Sequence, residues 1–149
     1  MRKARITDVP VIHGLVNHYA SQGEMLGRSR SELYEGIRDF FVAEIQGRVV
    51  GCSALHVNWE DLAEVRSLAV AAECQGSGIG KALVKACVDE AKDLGIARVY
   101  ALTYRPGFFE GLGFDKIAKE SLPHKVWGDC LKCPQFPNCE EDAVMLQVP

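Results

Sequence analysis

Apolar residues recur at helical spacing in two stretches of the chain and cluster in short strand-like runs through most of the rest. Ile12, Leu15, Val16 and Tyr19 mark a first helix. Its start is signalled by Thr7 as N-cap, Asp8 in the first turn and Pro10 just inside, with Ile6 and Val11 spaced for a hydrophobic staple. Leu83, Cys87 and Ala91, with Ala86 and Leu94 beside them, predict a long helix from about Gly80 to Leu94, capped by Gly95. Glu32 to Ile37 and Phe108 to Leu112 read as shorter helical pieces, and Ser21 to Ser31 as a polar loop.

Strands are expected at Arg2 to Ile6, Phe40 to Ile45, Arg48 to Val57, Leu62 to Val70, Arg98 to Thr103, Phe114 to Ala118 and Ala143 to Val148. Gln46-Gly47 turns the second into the third as a hairpin, and Asn58 to Asp61 makes the next turn. The order β-α-α-β-β-β-α-β-α-β-β is an α/β arrangement with a mostly antiparallel first half. One stretch breaks the pattern: Ser121 to Asp142 holds three prolines and three cysteines and little periodicity. An irregular insertion that long in a compact domain is functional or stapled.

With 149 residues the chain reads as one domain, 1–149, around one core. Hydrophobic residues at 48% and charged residues at 25% are an ordinary globular balance. A net charge of −3, from 17 Lys and Arg against 20 Asp and Glu, argues against nucleic acid as the main partner. No apolar run approaches the ~18 residues of a membrane span, and Asp8 and His13 interrupt what would be a signal-peptide core. The expectation is a cytoplasmic protein with reduced thiols, so its six cysteines read as core residues or metal ligands before disulfides.

Gln75-Gly76-Ser77-Gly78-Ile79-Gly80-Lys81 joins a strand to a helix. Glycines there let the backbone approach a ligand, and the free N–H groups of the helix's first turn favour an anion, typically phosphate. Two familiar phosphate loops do not fit. The dinucleotide fingerprint started at Gly76 needs glycine where Lys81 stands, and the P-loop needs glycine where Gln75 stands and Ser or Thr where Ala82 stands. A turn that merely permits tight strand–helix packing is the plain alternative.

Gln75-x-x-Gly78-x-Gly80 resembles the [QR]-x-x-G-x-[GA] pyrophosphate loop of the GNAT acetyltransferase superfamily. Glu64 to Val70 looks like that family's fourth strand, and Phe108-Phe109-Glu110-Gly111-Leu112-Gly113-Phe114 like its F-Y-E-x-L-G-F segment. The motifs stand in the family's order and cover roughly residues 1–120 plus the last strand. Met25-Leu26-Gly27-Arg28-Ser29, Leu102-Thr103-Tyr104-Arg105 and Leu122-Pro123 further resemble the acetyltransferase domain of N-acetylglutamate synthases, in a short form without a kinase domain.

The resemblance implies a mixed central sheet splayed between strands four and five, acetyl-CoA as cosubstrate, and an amino acid, glutamate or glutamine, as acceptor. It implies that residues 76–81 hold the pyrophosphate, and that the backbone of Leu68, Ala69 and Val70 holds the pantetheine arm and acetyl carbonyl. Glu64 matches a glutamate often used as general base through water; a solvated strand carboxylate is the alternative. Phe109 departs from the family, which often has a tyrosine there to protonate the thiolate. Tyr104 is the substitute candidate, against a packing role. Arg28 and Arg105 match synthase-like segments that flank the acceptor cleft, and Arg66 shares a strand face with Glu64; all three are candidates for the acceptor's carboxylates.

His13 and His18 take a surface or packing role by default, and His56, near a strand end, is a weaker candidate to face the cleft. For Cys130, Cys133 and Cys139, with His124 nearby, a structural metal site, free thiols and a disulfide all stay open. Homodimers are common in the family. Two other readings remain: an enzyme of the same fold acting on a protein N-terminus, polyamine or antibiotic, and a non-catalytic acyl-CoA sensor.

Overall fold

The computed structural model describes residues 1–123 and 141–149. The cysteines at 130, 133 and 139, and His124, lie outside the described residues. Seven strands form one sheet in the order β1-β2-β3-β4-β5-β7-β6. They are β1 (Arg2–Lys3), β2 (Phe40–Ile45), β3 (Arg48–Trp59), β4 (Leu62–Val70), β5 (Arg98–Thr103), β6 (Asp115–Ile117) and β7 (Asp142–Gln147). The α-helices among the described residues are α1 (Val9–Ala20), α2 (Arg30–Glu35), α3 (Ile79–Leu94) and α4 (Pro106–Glu110). Among the described residues no helix is long and apolar enough to cross a membrane.

The β2–β3 hairpin turns on Gln46 and Gly47, both at positive φ, the primed turn that matches strand twist. Helix α3 is capped by Gly78 before it and Gly95 after it, both left-handed. It buries Leu83, Val84, Cys87 and Ala91 against one face of the sheet, whereas Leu94 is exposed, a turn too far round from the expected stripe. On the other face α1 packs Val9, Ile12, Val16 and Tyr19 onto Val42, Cys52, Ala54 and Ala69. The Cys52 and Cys87 thiols are pushed up to about 12 by burial, so both are core residues with little thiolate character.

Four expectations need correction. The first strand is shorter than Arg2 to Ile6, because Ile6–Asp8 forms a 3-10 turn leading straight into α1. Asp8, not Thr7, occupies the N-cap position of α1: its carboxylate accepts from the Arg5 backbone N–H at 2.7 Å and from both Arg2 terminal nitrogens at 2.8 and 3.0 Å. Ile6 and Val11 are both exposed, so no staple closes that end. Helix α2 starts earlier than Glu32, at a reciprocal capping box. The Glu32 N–H donates to Ser29 Oγ and the Ser29 N–H to Glu32 Oε1, each at 3.1 Å.

The feature that shapes the site is a fork. β4 and β5 run parallel and pair only at Leu62–Arg98, Ala63–Val99 and Glu64–Tyr100. Beyond Glu64 they diverge. β4 carries a bulge there: two steps on β3, from Cys52 to Ala54, oppose three on β4, from Ala69 to Arg66. Ser67, inside the bulge, has φ of 57°, a left-handed conformation that costs a non-glycine residue about 1–3 kcal/mol. The extra residue bends β4 and opens the sheet.

Candidate active site

The fork opens into a cleft of about 730 Å³. One wall is β4 from Val65 to Val70, the other Leu102 to Arg105 at the end of β5. The glycine loop and Lys81 close one end, Phe108 and Phe109 of α4 pack alongside, and Glu24 and Met25 reach in from the α1–α2 loop. Since β5 has left β4, the β4 backbone between Val65 and Val70 has no strand partner on that side among the described residues. Extended backbone in a mostly apolar cleft is a ready partner for a chain bearing amides.

Of the expected acetyl-CoA residues, Leu68, Ala69, Val70, Gln75, Gly76, Gly78, Gly80 and Lys81 line this cleft. Gly76 and Gly78 have φ of 82° and 87°, which only glycine adopts without strain, and an added Cβ at either would meet open space. The demand at these two positions is therefore conformational. The first-turn N–H groups of α3 point away from the helix with no intrahelical acceptor. Ser77 and Ile79 are not among the lining residues: the Ser77 hydroxyl donates to the Cys74 carbonyl, and the Ile79 side chain packs with Val70 and Leu83.

Gln75 turns its side chain inward. Its Nε2 donates to Tyr19 Oη at 2.7 Å and to the Val70 carbonyl at 3.2 Å, and the Tyr19 hydroxyl donates to the same carbonyl. The glycine loop is thus tied to the end of β4 and to α1. Tyr19 entered the sequence reading only as a member of an apolar stripe; nothing in that periodicity marks a hydroxyl with a task.

The acceptor-side candidates are brought only partly together. Arg66 lines the cleft, and its Nη1 lies 3.9 Å from Glu64 Oε1. Glu64 stands one step behind, at the last paired position before the fork, with a side chain 14% exposed. It is absent from the described lining. Tyr104 and Arg105 line the opposite wall. Arg105 is 71% exposed and pairs with Glu24 at 3.6 Å across the mouth.

Arg28 is not among the lining residues. Its side chain is only 10% exposed and pairs with Glu32 at 3.5 Å, while Asn17 holds its backbone from both sides. Phe109 is buried, edge-on to Phe108 and Phe114, so the expected tyrosine position is apolar packing. His56 lies off the described lining, on β3, with Nδ1 2.9 Å from Asp39 Oδ2.

A forked sheet with a glycine loop at one end has known counterparts. A profile of the acetyltransferase (GNAT) family matches residues 14–114. An uncharacterized N-acetyltransferase of Chlorobaculum tepidum is 41% identical over 97% of this chain and 94% of its own. An amino-acid acetyltransferase of Mycobacterium tuberculosis is 44% identical over 87% of this chain and 75% of its own. Among solved structures, the Neisseria gonorrhoeae N-acetylglutamate synthase complexed with coenzyme A and N-acetyl-glutamate superposes with a TM-score of 0.91. That match has 29% identity and covers 99% of this chain and 34% of the synthase. The chain belongs to the acetyltransferase (GNAT) family and is an acetyl-CoA-dependent N-acetyltransferase.

Proposed function

We propose that the chain transfers acetyl from acetyl-CoA to the α-amine of an amino acid, glutamate or glutamine, and so opens arginine biosynthesis. The observation that carries this reading is the 44% identity to an amino-acid acetyltransferase over most of both chains. The cleft supports it with cationic side chains, Arg66 and Arg105, near the acceptor end.

The backbone N–H groups of residues 76–81 hold the pyrophosphate, and the unpaired edge of β4 at Leu68, Ala69 and Val70 holds the pantetheine amides. The acceptor arrives as an ammonium and must lose a proton before it attacks. Glu64 takes that proton through a water. The neutral amine adds to the thioester carbonyl, and a β4 N–H donates to the oxyanion that forms. As collapse breaks the C–S bond the attacking nitrogen releases its second proton to solvent, and the leaving thiolate takes one proton, from solvent or from Tyr104, which solvent then reprotonates. Arg66 and Arg105 orient the acceptor's carboxylates, which suit arginine's planar fork.

Glu24 and Glu141 also line the cleft and favour a second reading, a cationic acceptor such as a polyamine. An acceptor screen separates the two: CoA thiol release from acetyl-CoA is followed with glutamate, glutamine, aspartate and polyamines. Turnover with glutamate or glutamine at the highest kcat/KM is expected. Preference for a polyamine overturns the amino-acid assignment, and no release with any amine favours an acyl-CoA sensor.

A further inference from the structure

His56 stands on β3 directly opposite Glu64 on β4, in the antiparallel register that also sets Leu55 against Val65. Directly opposed residues leave the same face of a sheet, with Cβ atoms roughly 4.5–5.5 Å apart. His56 is in turn held by Asp39, in the 3-10 turn before β2, through the 2.9 Å contact of Nδ1 with Oδ2. An ionised carboxylate only accepts, so Nδ1 carries the proton and Nε2 is left as the ring's acceptor. Glu64 is the least exposed of the three, with a side chain at 14%, against 39% at His56 and 33% at Asp39. On the other flank of Glu64 stands Tyr100, in register with it on β5, fully buried, with its hydroxyl donating to Asn58 Oδ1 at 3.2 Å. Along the strand stands Arg66. Among the described residues, the charged and titratable groups that register and contact place around this row include Asp39, Glu64, Arg66 and Tyr100.

The reaction leaves one proton on Glu64 at every turnover, and the base must lose it before the next ammonium arrives. We propose that His56, oriented by Asp39, relays this proton from Glu64 to solvent and so resets the base. The inference rests on Glu64 being that base. The proton passes from the Glu64 carboxyl through a water to Nε2 of His56. An imidazolium forms beside the Asp39 carboxylate, and Nε2 then gives the proton to a buffer molecule. One proton enters and one leaves, and His56 returns to its neutral form. Histidine suits the step because it takes and releases a proton near neutral pH. His56 touches neither substrate; it acts through Glu64.

The test compares wild type with His56→Gln, Asp39→Asn and Glu64→Gln, using acetyl-CoA and the preferred amine of the screen. Assays are run in dilute buffer, with and without added imidazole. His56→Gln is expected to lower kcat about 10-fold in dilute buffer, less than the 10²–10⁴ of a direct acid–base group. Both KM values should hold, and imidazole should restore the rate. Asp39→Asn should show a smaller loss with the same recovery, and it decides the matter if His56→Gln does not fold. A wild-type kcat for His56→Gln in dilute buffer, or a loss that imidazole leaves untouched, overturns the relay. If that happens while Glu64→Gln is inactive, the base assignment stands and only the relay fails. If Glu64→Gln turns over normally, both fall.

Discussion

The side-chain amide of Gln75 donates to the Tyr19 hydroxyl at 2.7 Å, and both groups also donate to the Val70 carbonyl. Three elements, the glycine loop, α1 and the end of β4, are thereby fixed at one carbonyl on the cleft wall. Tyr19→Phe removes one donor to Val70 and the acceptor for Gln75 without changing the ring's packing. A neutral hydrogen bond is worth about 0.5–1.5 kcal/mol net, or roughly 2- to 12-fold in an equilibrium constant. The KM for acetyl-CoA should rise within that range while kcat and the acceptor's KM hold. Calorimetry of CoA binding checks it, and unchanged affinity shows that the knot is incidental.

The glycine loop gives a contrast between neighbours. Gly78 has φ of 87°, and a valine there must strain or rebuild the turn that starts α3, at a cost of about 1–3 kcal/mol. Gly80 has no such conformation, and a Cβ would meet the Phe108 ring at an ordinary 3.5 Å. Gly78→Val should therefore abolish acetyl-CoA binding with the fold retained, while Gly80→Ala binds as wild type. Titration of both variants with acetyl-CoA decides; equal affinities would show that the loop's backbone does not hold the pyrophosphate.

Glu64 at the fork should be needed for chemistry and not for cofactor binding. Glu64→Gln is expected to lower turnover by about 10²-fold or more, the range of a lost general base, and to remove the acid limb of the pH–rate profile. Acetyl-CoA affinity should barely move. Near-normal turnover at neutral pH would return Glu64 to the role of a strand carboxylate paired with Arg66.

Asp8 ties β1 to the start of α1, and the Arg2 guanidinium holds its carboxyl below the ordinary value. A carboxyl whose folded pKa is depressed adds stability above its unfolded value, about 3.9, and loses it as pH falls through the folded one. Asp8→Asn should lower stability at pH 7 by about 1.5–3 kcal/mol, the worth of a charged hydrogen bond. The gap between variant and wild type should narrow as both are acidified below pH ~4. Urea titrations at pH 7 and pH 3 measure it, and a gap equal at both pH values excludes the ionic origin.

The sequence predicts most of the sheet because its signals are local. Leu62–Val70 and Arg98–Thr103 fall at their expected bounds, since each is an apolar β-favouring run bracketed by polar or turn residues. Ser29-x-x-Glu32 is an equally local signal for the start of α2, and the expected start at Glu32 overlooks it. The fork is different. It depends on a bulge at Ser67 and on which strands pair, and neither leaves a trace in the periodicity of β4. Tyr19 and Glu24 share this invisibility: their distance from the glycine loop and from Arg105 is long in sequence and short only after folding. The motif resemblance supplies the glycine loop and Glu64, but not which arginine is open to a ligand.

The last prediction uses that difference between arginines. Arg105 is 71% exposed and pairs with the Glu24 carboxylate at 3.6 Å. If Arg105 binds an acceptor carboxylate, Glu24 holds that place until substrate arrives and must be displaced. An exposed pair is worth about 0–1 kcal/mol, so the displacement is cheap. Glu24→Gln should lower the KM for glutamate, by at most about 5-fold, and leave that for acetyl-CoA alone. Arg105→Ala should raise the glutamate KM toward the lower end of the ~10- to 150-fold expected for a charged contact, because solvent screens an exposed group. Thermal stability should change little in both. Arg28 predicts the opposite profile. Its side chain is 10% exposed and its backbone is pinned by Asn17, so Arg28→Ala should lower the melting temperature as well as any acceptor affinity. Melting curves and acceptor KM values for the three variants separate the roles. A Glu24→Gln enzyme that binds glutamate more weakly would mean that Glu24 contacts the acceptor's ammonium instead of guarding Arg105.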